Sequence, residues 1–174
     1  MDEFIESIRR TPNFNNVQLI NKIVNYIQKK FITPDTQESL SPSLHEQKLK
    51  EISEYCTNPA TNINITAIYW VALFRTYAKT MQYDKARNCV VKGIESISKA
   101  VESGNYALLC DLSTFKIIAP NTNFENALAD ALKFCELFPD MKKMCSYNIG
   151  TCYMHMKKYE EAIVYFKSSE SERK

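Results

Sequence analysis

A four-residue unit, an aromatic followed by an acidic residue, any residue and alanine, returns three times in this chain: Tyr83-Asp84-Lys85-Ala86, Phe124-Glu125-Asn126-Ala127 and Tyr159-Glu160-Glu161-Ala162. The aromatics stand 41 and then 35 residues apart. Repetition at that period means units that cannot bury an apolar face alone and must stack. The additional residues of the longer interval are expected near Ser103-Gly104-Asn105. Only 3 glycines and 6 prolines among 174 residues leave few positions for the tight turns of a sandwich or barrel. The units therefore read as helices joined by short loops. With 45% apolar residues the chain can bury a core without disulfides or a structural metal.

Ahead of the repeats, Thr11-Pro12, Thr33-Pro34, Ser41-Pro42 and Asn58-Pro59 punctuate the chain, each proline turning the preceding residue away from helix. A helix is expected from Asn16 to Phe31, where Val17, Ile20, Val24, Ile27 and Phe31 recur at helical spacing. A second opens on the capping-box pattern Ser43-Leu44-His45-Glu46 and runs through Leu49, Ile52 and Cys56. The reading is a helical lead-in or divergent repeat over 1–62, followed by repeats over 63–174.

The repeats resemble the tetratricopeptide family. Trp70, Leu73, Tyr77, Tyr83 and Ala86 fall on its signature, with Val90 where an aromatic is usual. Ile149, Gly150, Tyr153, Tyr159, Ala162 and Phe166 match it in the last unit, while the middle unit keeps Phe124, Ala127 and Pro139. The resemblance implies an all-α fold. Antiparallel helix pairs would stack into a right-handed solenoid of about three repeats, near 67–100, 106–139 and 143–171. Phe74 and Phe115 occupy positions where the family has a small residue, so wider crossings are expected there.

The same resemblance implies a concave groove lined by Ile68, Val71, Arg75 and Lys79, then Leu109, Leu112 and Lys116, then Tyr147, Asn148, Thr151 and His155. A mixed apolar and basic groove suits an acidic or helical segment of a protein or peptide partner. Asn148 also matches one asparagine of the clamp by which some members hold a chaperone carboxyl terminus, but the other clamp residues are not in place. The helix over 16–31 is an equally good occupant of the apolar positions. The implied function is a non-enzymatic scaffold or adaptor subunit of an intracellular complex. The alternatives are a homodimer through the last repeat, whose Ile163 and Phe166 face is left uncovered, and the amino-terminal part of a longer repeat protein.

Other function classes lack support in the sequence. A net charge of +2 without a block of Lys or Arg argues against a nucleic-acid partner. No apolar run reaches bilayer length, and the acidic start Met1-Asp2-Glu3-Phe4 does not read as a signal peptide. The 6 cysteines sit at irregular gaps in apolar stretches, as reduced thiols do in the cytoplasm or nucleus. Cys145, Cys152 and His155 share a helix face, yet one helix cannot surround a tetrahedral ion, so no metal or other cofactor is expected. The isolated glycines form no phosphate-binding loop, and neither His45 nor His155 accompanies a nucleophile signature, so no catalytic residues are assigned.

Overall fold

A computed structural model describes residue 50 and residues 53–59, 61–79 and 81–170. The helix expected over 16–31 and the capping box at Ser43 lie outside those residues. Among the described residues every regular element is helical, and no helix is long and apolar enough to cross a membrane. The helices are α1 (Ile63–Lys79), α2 (Tyr83–Glu102), α3 (Leu109–Ile118), α4 (Phe124–Leu137), α5 (Lys143–His155) and α6 (Tyr159–Glu170). The chain divides into two compact units, 1–89 and 90–174, with the boundary inside α2.

In the first unit, a helical turn over 53–57 ends at Asn58-Pro59 and its open carbonyls are closed by hydroxyls. Thr61 donates to the Tyr55 carbonyl and Thr66, already in α1, donates to that of Cys56, each at 2.7 Å. Asn62 starts α1, its side-chain oxygen accepting from the Asn64 amide at 2.9 Å. Ile65, Ala67, Ile68, Tyr69, Val71, Ala72, Leu73 and Thr76 are all buried. That is more than one stripe, so α1 is enclosed on several sides.

In the second unit α3 packs on α4, α4 on α5 and α5 on α6, while α3 also meets α5. Phe115 and Phe134 are its largest fully buried side chains, with Leu108, Leu109 and Ile149 beside them in the core. Each such side chain stabilises by about 1.5–3 kcal/mol over leaving it in water. Ser113, fully buried in α3, donates to the carbonyl of Ala127 in α4 at 2.8 Å, which keeps a polar group inside without leaving it unpaired.

The recurring four-residue unit has one structural meaning at all three places. α2, α4 and α6 each begin on its aromatic, and its alanines Ala86, Ala127 and Ala162 are buried. The alanine amide bonds back to the residue just before the helix, to Gln82, Asn123 and Lys158 at 3.0, 3.2 and 3.1 Å. The preceding helices close alike in the first and third cases. Met81 and Lys157 take left-handed φ of 59° and 62°, and Gln82 and Lys158 donate back to the Tyr77 and Tyr153 carbonyls at 2.8 and 2.9 Å. Before α4 a left-handed residue recurs, Asn121 at φ 59°, but there a side chain closes α3, Thr122 donating to carbonyls of Lys116 and Ala119.

The longer first interval is taken up just before Ser103-Gly104-Asn105. It lies mainly in α2, which has 20 residues where α4 has 14 and α6 has 12. The three residues named form an ordinary cap: Gly104 at φ 102° lets Asn105 donate to the Ala100 carbonyl at 3.0 Å.

Candidate functional site

The eleven side chains expected to line a groove divide between the units, Ile68, Val71, Arg75 and Lys79 in the first and the other seven in the second. Ile68 and Val71 have no exposed surface, whereas Arg75 and Lys79 are exposed. In the second unit the structure sorts the seven into two groups. Leu109, Leu112, Lys116 and Asn148 serve the interior, and Tyr147, Thr151 and His155 face outward.

Leu109 and Leu112 are core residues of α3. Lys116 turns toward α4, where its ammonium meets the Asp130 carboxylate at 2.5 Å with both side chains mostly covered (27% and 18% exposed). It therefore presents little free charge to a partner. Asn148 is buried in α5, and its amide donates to the Cys110 carbonyl at 3.2 Å and the Thr114 hydroxyl at 2.9 Å. Thr114 in turn donates its hydroxyl hydrogen bond to the Cys110 carbonyl at 3.0 Å. The asparagine thus fastens α5 to α3, which occupies the donors a peptide carboxylate would need.

The outward group forms a stripe on α5. Tyr147 is 64% exposed and its ring lies 5.6 Å from that of Phe166 on α6. Thr151 bonds the Tyr147 carbonyl at 2.9 Å. His155 stacks flat on Phe124 of α4, centroids 4.2 Å apart and planes within 7°. Met144 and Met154, both exposed, complete the stripe at helical spacing with Tyr147 and Thr151. These two methionines were absent from the expected groove. Their spacing of 144, 147, 151 and 154 puts them on one helix face, a signal present in the sequence itself. Flexible thioethers beside an aromatic suit a surface that adapts to a partner.

A cavity of about 340 Å³ opens among α4, α5 and α6, walled by Leu132, Cys135, Ile149, Val164 and Tyr165 with Lys142, Ser146 and Ser168 at its polar part. Its volume lies in the range of small-ligand sites. No group of three His, Cys, Asp or Glu side chains fit to hold a metal occurs among the described residues, and Cys145 and Cys152 are both buried. No family model, no curated protein and no solved structure matches this chain.

Proposed function

We propose that this chain is a tetratricopeptide-like helical repeat scaffold that holds a segment of another protein and performs no chemistry of its own. The observation that carries this reading is the stripe of exposed Met144, Tyr147 and Met154 along α5, with half-buried Thr151 among them. An exposed aromatic flanked by methionines is costly to leave in water unless a partner covers it, and a helical or extended segment fits such a strip. The common start of α2, α4 and α6 on the motif aromatic supports the solenoid part of the proposal. The free thiols fit a reducing compartment, the cytoplasm or the nucleus.

Photo-crosslinking tests it. Benzoylphenylalanine placed at Tyr147 is expected to capture one protein from lysate that the same probe at Val91, exposed on α2, does not capture. Equal capture from both positions would sink the reading.

A second reading, self-association, is favoured by α6. It exposes Tyr159, Ile163 and Val164, with Glu160 and Glu161 in its first turn and Lys167 in its last. Two copies of such a helix laid antiparallel would bring acid to lysine at both ends, which is the arrangement an isologous dimer needs. A mass by light scattering that doubles with concentration, and no longer does so in Val164→Asp, would favour it.

A further inference from the structure

The cavity among α4, α5 and α6 pairs an apolar wall with charge of one sign. Ile149, without exposed surface, is its most buried wall, and Leu132, Cys135, Val164 and Tyr165 continue it. Its serine and thiol hydrogens are turned onto the chain itself. Ser146 donates to the Lys142 carbonyl at 3.4 Å, Cys135 to the same oxygen at 3.6 Å, and Ser168 to the Tyr165 carbonyl at 2.9 Å. The interior therefore offers a ligand mostly hydrocarbon.

The charge comes from two adjacent residues where α5 begins, Lys142 and Lys143, and no carboxylate is among the described residues lining the space. Burial pushes the Cys135 thiol and the Tyr165 phenol up, so neither sets a negative charge beside the lysines. Both lysines are exposed, so an anion that meets them does so at the mouth and keeps much of its hydration. Size gives a further limit: about 340 Å³ filled at the density of a protein interior takes roughly ten to fifteen heavy atoms.

We propose that this cavity binds a small amphiphilic carboxylate, a free fatty acid of medium chain length, with its chain against Ile149 and its head at Lys142 and Lys143. Burying the chain supplies the affinity and the two ammoniums select the head. An alcohol of the same length gains only the burial. An alkylammonium meets two like charges. A sugar finds the serine hydrogens already used, which leaves its own hydroxyls poorly matched.

The test titrates octanoate, octanol and octylamine, each below its micelle-forming concentration, into the isotope-labelled full chain and follows the backbone amide resonances. Octanoate is expected to saturate one site that moves Ser146, Ile149 and Tyr165, with octanol weaker and octylamine weakest. Lys142→Ala/Lys143→Ala, at exposed positions, is expected to weaken octanoate about fivefold and leave octanol unchanged. Val164→Trp, also at an exposed position, fills the opening and is expected to abolish the binding of both. Equal affinity for the three compounds, octanoate binding indifferent to the lysine changes or to Val164→Trp, or shifts that never saturate would overturn the proposal.

Discussion

Gly150 of α5 lies directly under the ring of Phe166 of α6: a Cβ at Gly150 would stand 2.8 Å from two of the ring carbons. A side chain larger than glycine's hydrogen at residue 150 fits only if that ring shifts. Sixteen residues separate the two, and the same separation relates Phe115 to Ala131, both fully buried, with the bulk now on the first helix. The phenylalanine expected to force a wider crossing is thus matched by a small residue at the equivalent place of the second helix. In sequence, Phe74 and Val90 stand in the same relation.

Gly150→Ala sets two effects against each other. Removing a mid-helix glycine gains about 1 kcal/mol, while overpacking a close contact costs about 1–3 kcal/mol. With ring carbons at 2.8 Å the clash is expected to win, lowering urea-unfolding stability by about 1 kcal/mol. In a Phe166→Leu background the same change is expected to be neutral or stabilising. Stabilisation by Gly150→Ala alone would mean that the ring swings aside freely.

Asn148→Ala removes the two donated bonds that join α5 to α3 and is expected to cost about 1–3 kcal/mol by urea unfolding. Asn148→Asp should be worse at neutral pH, since an ionised carboxylate only accepts and would face the Cys110 carbonyl. Its buried carboxyl would hold its proton more tightly than in the unfolded chain, so this variant's stability should fall as pH rises and recover in acid. A pH-independent deficit would show that the side chain turns outward instead.

Lys116→Met is expected to cost about 1–3 kcal/mol, because it strands the Asp130 carboxylate in a mostly covered position. Adding Asp130→Asn should restore part of the loss, giving a double-mutant coupling of about 1 kcal/mol. Additive effects would place the pair in solvent, like the exposed Lys99–Glu95 bridge. For the same reason Lys116→Glu is a poor probe of partner binding.

High pH should weaken the native state. Burial pushes the Cys56 thiol from its ordinary 9.0 up to about 12 and the Tyr69 phenol from 10.0 up to about 12. Both groups ionise more readily once unfolded. Their contribution is therefore complete below about pH 9 and is lost as pH rises toward 12. Urea midpoints taken under reductant should fall between these limits, and Cys56→Val should flatten the decline. A midpoint unchanged across the range would mean that water reaches both groups in the folded chain.

Much of the helical order was legible in the residues themselves. The aromatic-acid-x-alanine unit marks a helix start because the acid favours the positive end of the helix and the alanine permits close approach. Those are local properties, and they set the starts of α2, α4 and α6. The burial of Cys145 and Cys152 was also readable from their place in apolar helical stretches. Side-chain availability was not. Asn148 finds its acceptor 38 residues away and Lys116 its carboxylate 14 away on another helix, so no spacing within one element reveals either. The sequence by itself determined where helices begin and which faces are apolar, since those follow from contacts within a turn or two of chain. Only the tertiary structure decided which polar groups are consumed in joining helices and which remain on the surface, because that depends on what the fold brings against each side chain.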